Sequence, residues 1–179
     1  MFNWIKGKSK KGLCLVAHPD DCVIFAQAFL LEQKQLDWTI VYLTYDENSD
    51  RAQEIASYWS QQNITTRFLG FQDKVPLSNQ NDEVAVLSKL IDTGVQFDLV
   101  LTHNAIGEYK HVHHVLLHSV AQRLPQPKVY FGHGFFHNHS SARPRDQMPR
   151  LPLHHAVITD FDLEQRCQYY IDDKAKELL

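Results

Sequence analysis

The chain has little cysteine. Cys14, Cys22 and Cys167 are odd in number and show no paired spacing, so a disulfide framework is not expected and a reducing, cytoplasmic setting suits the thiols. It has no excess of one charge: 18 Lys+Arg against 21 Asp+Glu give a formal −3, which offers nothing to draw nucleic acid or another polyanion. It has no long apolar run. The stretch Val23–Leu31 contains Gln27 and is too short to span a bilayer. No signal-peptide core follows Lys6, Lys8, Lys10 and Lys11, because the next apolar run is the short Leu13–Ala17. Residues 1–11 therefore read as a flexible basic terminus, solvated or resting on an anionic surface. No repeat, low-complexity tract or second domain is visible. Glycine is sparse, at 7 residues, and none lies on the turn after the first strand. That turn lacks the fingerprint that cradles a dinucleotide, and Pro19-Asp20-Asp21 would repel a pyrophosphate.

What is present is a 44% hydrophobic chain of 179 residues, enough for one domain with a core over 1–179. Short β-branched runs alternate with amphipathic stretches, as parallel α/β units do. Strands are predicted at Gly12–Ala17, Trp38–Thr44, Thr65–Leu69, Phe97–Thr102, Lys128–Gly132 and Ala156–Thr159. Helices are predicted at Asp21–Lys34, Ser49–Gln61, Asn81–Thr93, His111–Gln122 and Leu163–Leu178. Their core faces include Phe25, Phe29 and Leu31, then Ile55 and Trp59, then Val84, Leu87, Leu90 and Ile91. The segment Phe135–Pro152 is read as a long loop, functional or disordered. The expected fold is a Rossmann-like, mostly parallel sheet with helices on both faces, its ligand crevice at the carboxyl ends of the strands. The crossover rule makes the first and fourth strands neighbours at the switch point.

Ten of the eleven histidines follow residue 100. Two clusters sit at strand ends: Ala17-His18-Pro19-Asp20-Asp21 and His111-Val112-His113-His114. Each has an ordinary reading, since proline and carboxylates suit a helix start and histidines at a helix start are often only solvated. Taken together, one His, one Asp and a second His make a three-ligand zinc shell with an open position. The remaining Asp and His supply the acid–base pair that hydrolysis needs. On a helix, His111 and His114 share a face and His113 points elsewhere.

The two clusters resemble the PIG-L/LmbE family of zinc-dependent N-deacetylases (GlcNAc-phosphatidylinositol de-N-acetylase-like), whose hallmarks are A-H-P-D-D-E and a later H-x-D-H. Thr102-His103-Asn104, Gly107-Glu108, the Arg51-x-x-Glu54 pattern and Leu69-Gly70-Phe71-Gln72-Asp73 agree with it. The resemblance implies that His18, Asp21 and His114 ligate zinc, with Fe(II) as another candidate. It implies that Asp20 is the general base on the attacking water, and that His111 polarises or protonates at the tetrahedral centre, as an imidazolium stabilising the developing charge, assisted by Tyr109. It leaves Arg51 to clamp a substrate anion or to pair with Glu54 or Glu47. The substrate class implied is a small N-acyl amino sugar or glycoconjugate.

Two positions depart from the family pattern. Cys22 replaces an acidic residue, as a small buried hydrophobe or a competing soft ligand. His113 replaces the Asp of H-x-D-H, which questions how His111 is tuned. A catalytically degenerate member that binds metal or sugar is therefore the alternative to a metal-dependent deacetylase. His103 is expected to anchor its strand end by hydrogen bonding. His133, His137, His139, Arg143 and Arg145 form a polar lid or a solvated loop. The chain is short for the family, so a substrate-recognition segment is expected to be missing or supplied by a neighbour in a homo-oligomer.

Overall fold

The structure, a computed structural model, describes residues 9–131 and 169–179. Five parallel strands and one antiparallel edge strand form a single sheet of order β3-β2-β1-β4-β5-β6. These are β1 (Lys10–Val16), β2 (Leu36–Thr44), β3 (Thr65–Phe71), β4 (Leu99–Thr102), β5 (Lys128–Phe131) and β6 (Tyr169–Ile171). The central strands β1, β2 and β4 are near-continuous apolar runs because both of their faces are covered. Strand order reverses between β1 and β4, which pair in parallel with Leu15 opposite Thr102. That is the predicted neighbour relation, and it makes a crevice at the carboxyl ends.

Helices cover both faces, as expected. On one, α1 (Pro19–Asp21), a π-helical turn (Cys22–Ala26), α2 (Gln27–Glu32) and α3 (Asp50–Ser60) pack Phe25, Phe29, Leu30 and Trp59 onto the sheet with α7 (Asp173–Lys176). On the other, α4 (Gln80–Asp92) and α6 (Val112–Gln122) bury Val86, Leu90, Leu116, Leu117 and Val120. Caps fix where these helices begin. Ser49 accepts from Ala52 N–H at the start of α3, and the Asn79 side chain accepts from Asn81 and Asp82 at the start of α4.

Three expectations need correction. The buried face of α4 is Val86 and Leu90, whereas Val84 and Ile91 are 54% and 67% exposed; the Val86–Leu90 pair lies one turn apart along the sheet-facing stripe, and the other two apolar residues fall off it. Residues 169–171 form a strand rather than part of a helix from Leu163, because the Tyr169-Tyr170-Ile171 backbone pairs antiparallel with Val129–Phe131. Helix α6 begins at Val112, with His111 as its extended N-cap. The predicted strand Ala156–Thr159, the loop Phe135–Pro152, its His and Arg residues, Cys167, the 163–168 part of the last helix and residues 1–8 of the basic terminus lie outside the described residues. Among the described residues no helix is long and apolar enough to cross a membrane.

Candidate metal centre

The end of β1 is clamped before the site begins. Ala17 O accepts from both the Thr44 backbone N–H and its hydroxyl, at 3.1 and 2.8 Å. Thr102 Oγ1 donates to Leu15 O at 2.7 Å, tying β4 to β1. The chain then turns through His18, extended at φ −126, into Pro19, whose ring suits the first helical position. Asp21 Oδ2 accepts from the His18 backbone N–H at 2.8 Å, which fixes that oxygen beneath the turn. The result is one carboxylate oxygen aimed into the crevice.

Two imidazoles converge on it. His18 Nδ1 lies 3.1 Å and His114 Nε2 3.2 Å from Asp21 Oδ2, and ligand atoms of His18, Asp21 and His114 lie within 4.8 Å of one another. Ligands about 2.0–2.1 Å from a tetrahedral ion stand about 3.3 Å apart, close to both measured edges. His114 Nδ1 is engaged with Glu108 Oε2 at 2.7 Å. Its buried Nε2 makes no well-formed hydrogen bond among the described residues despite its closeness to Asp21. A ring that gives its Nδ1 proton to one carboxylate and turns its Nε2 toward a second is arranged for positive charge, a proton or a metal cation, between that nitrogen and the second carboxylate. The residues fit a divalent metal.

The electrostatics agree. Burial pushes the Asp21 carboxyl up, but His114, His18 and His103 hold it well below its usual range. Burial pushes Glu108 up, and His103 with His114 bring it down to about 2. Burial pulls His114 down, but Asp21 and Glu108 outweigh it and raise the ring to about 9. Two ionised carboxylates thus hold positive charge where the three side chains meet. His111 goes the other way, to about 4, by burial and by the imidazoles of His114, His18 and His113. Both causes favour the neutral ring over the imidazolium.

The remaining residues surround this point. His18 Nε2 stands 3.0 Å from Asp73 Oδ1 and 3.2 Å from His113 Nδ1. His113 Nε2 donates to Val75 O at 2.7 Å. His113 therefore points into the centre, contrary to the helical-face expectation: with His111 as the cap, the first turn starts one residue later. His111 Nδ1 accepts from the His113 backbone N–H at 3.3 Å, and its ring lies 4.7 Å from that of His18. The Tyr109 ring sits 5.1 Å from His114 and is 45% exposed at the rim; its hydroxyl is pushed up by burial and by nearby carboxylates. Arg51 pairs with Asp20 Oδ1 at 3.2 Å and lies over the Tyr45 ring, rather than pairing with Glu54 or Glu47. Cys22 is buried in the cluster that holds Cys14 and Tyr42, with the thiol pushed up by burial. His103 holds its strand end, accepting from the Ala17 N–H at 3.2 Å. Asp73 was legible only as part of the turn after β3, with no sign that it would reach His18.

A doubly wound sheet with a buried histidine–carboxylate cluster on the turn where strand order reverses defines an α/β protein with a candidate divalent-metal centre. The chain belongs to the PIG-L family, GlcNAc-PI de-N-acetylase, which matches residues 13–124, more than half of its length. Among solved structures, the chain is similar to GalB, the 4-carboxy-2-hydroxymuconate hydratase of Pseudomonas putida KT2440. The two share 19% identity and a TM-score of 0.54, over 68% of this chain and 65% of that one. It is also similar to a deacetylase of teicoplanin biosynthesis in complex with teicoplanin. There the identity is 14% and the TM-score 0.51, over 68% of this chain and 69% of that one. These likenesses establish the fold, and the chain spans about two thirds of each neighbour's length. No curated protein matches the chain.

Proposed function

We propose that the protein is a zinc-dependent amide hydrolase that removes the acyl group from an N-acylated amino sugar or glycoconjugate. One observation carries this reading: Asp21 Oδ2 faces His18 Nδ1 and His114 Nε2 at the spacing of ligands around one ion. His18, Asp21 and His114 would hold the metal. Zinc, or Fe(II), bound there supplies Lewis acidity that lowers the pKa of a water and polarises an amide carbonyl.

The chain's own groups do the rest. Arg51 engages Asp20 Oδ1, which fixes the carboxylate and leaves Oδ2 to take the proton of the attacking water. Asp20 then returns that proton to the departing nitrogen, without which an amine does not leave. His111 accepts at Nδ1 from its own helix, so its proton sits on Nε2. It acts as a neutral donor to the developing oxyanion. Tyr109, held protonated, supplies a second donor from the rim. Arg51, half-exposed beside Asp20, would meet a polar or anionic substrate group at the mouth.

The degenerate-binder alternative loses its motive at both departures. Cys22 packs into the core, and His113 retains a polar contact with His18. The test is acetate release from N-acetylglucosamine conjugates by zinc-loaded protein and its Asp20→Asn variant. Turnover that falls at least 100-fold in the variant, with zinc still bound, is expected. Bound zinc with no turnover on any amide would establish the binding module instead.

A further inference from the structure

Glu108 is a buried carboxylate that the proposed chemistry does not use, and it touches both His103 and the proposed ligand His114. It lies in the short turn α5 (Gly107–Lys110), where Gly107, Glu108 and Lys110 all have positive φ, at 61, 55 and 70°. L side chains rarely adopt that conformation, so the turn is held by its contacts. Oε2 accepts from His103 Nδ1 and from His114 Nδ1, each at 2.7 Å, and Oε1 accepts from the Asn104 backbone N–H at 2.9 Å. The two imidazoles stack at 3.8 Å with 20° between their planes.

The trio His103, Glu108 and His114 is itself compact enough to suggest a second cation site. The distances decide against one. At 2.7 Å these are hydrogen bonds, shorter than the about 3.3 Å between neighbouring ligands on a tetrahedral ion. The protons are also assigned. His103 Nε2 accepts from the Ala17 N–H, so the His103 proton is on Nδ1 and is donated to Glu108. Glu108 then takes a second proton donor from His114 at the same oxygen.

We propose that Glu108 is a positioning residue: it holds the His114 proton on Nδ1 and so presents the Nε2 lone pair to the metal. Through His103 and Ala17 the same oxygen also fixes that ligand relative to the end of β1, one residue before His18. A ligand from α6 and two from the turn after β1 are thereby set in register across the switch point. This rests on the reading of His114 as a ligand.

The experiment uses the full chain. Zinc affinity, measured by competition with a chelator, is expected to fall about 10- to 100-fold in Glu108→Gln, the range typical for loss of a carboxylate behind a ligating histidine. The metal-free variant should still unfold cooperatively. Wild-type protein, zinc-loaded and with isotope-labelled histidine, gives a check by NMR that needs no variant: His114 should coordinate through Nε2 and carry a slowly exchanging Nδ1 proton. Wild-type affinity in Glu108→Gln, or coordination of His114 through Nδ1, overturns the inference and leaves the metal centre standing. Absence of stoichiometric zinc in the wild type overturns both. If Glu108→Gln does not fold, the NMR result decides alone.

Discussion

One nitrogen separates the roles of two neighbouring histidines. His114 turns its Nε2 toward Asp21, whereas His111 spends its Nδ1 on capping α6. His114→Ala should therefore abolish stoichiometric zinc binding. His111→Ala should keep the metal and lower kcat about 100-fold, as loss of one oxyanion donor does. Metal analysis beside steady-state kinetics checks both, and full turnover in His111→Ala removes its assigned role. A second residue makes a pH prediction. The Tyr42 hydroxyl is buried, has no well-formed hydrogen bond among the described residues, and is pushed up by burial and by Cys22 and Cys14. The unfolded phenol ionises near pH 10 while the folded one stays neutral, so the unfolded state binds fewer protons above that pH. Stability falls there as pH rises, by about 1.4 kcal/mol per unit. Tyr42→Phe should flatten thermal-stability curves above about pH 10 and raise stability by about 1 kcal/mol at neutral pH. The meeting of His18, Asp21 and His114 was legible because short motifs name all three directly. The parts played by His113 and Glu108 were not, since one depends on where α6 starts and the other on a positive-φ turn that no periodicity reports.

At the scale of elements, the close approach of β1 and β2 makes a sharp demand. A Cβ on Gly12 would fall well inside contact distance of the Trp38 ring on the paired strand, and that ring is buried and donates to Gln33 O. Gly12→Ala should destabilise the protein by about 1–3 kcal/mol through overpacking, read as a lower midpoint in denaturant with an unchanged slope. An unchanged midpoint would mean that the Trp38 side is loosely packed. Alternation of apolar strands and amphipathic helices was enough to place β1 to β5 and the four longer helical segments, because burial on both faces makes central strands continuous. What it missed depends on partners far away in sequence. The three residues of β6 become a strand only by pairing with β5. The face of α4 is set by which residues meet α6 and the sheet, and the apolar Val84 and Ile91 lie outside it.

For the whole molecule, the matter is how residues 18, 21 and 114 come to share one point. Residues 18 and 21 share one turn, whereas 114 is far away in sequence and reaches them only because β1 and β4 pair at the switch point. A metal held by all three would bind the folded chain and not the unfolded one, so it should act as a cross-link between the two halves of the sheet. Free zinc at about 100 times its dissociation constant should add about 2.7 kcal/mol. For a chain of this size that corresponds to an increase in Tm of about 5–10 °C. Asp20→Asn, outside the ligand set, should keep the shift. His114→Ala should lose it, and a chelator should reverse it in the wild type. Eleven histidines give zinc other places to bind, so the variant is the decisive arm. A zinc-dependent shift of wild-type size in His114→Ala would place the stabilising ion elsewhere and separate metal binding from the turn after β1.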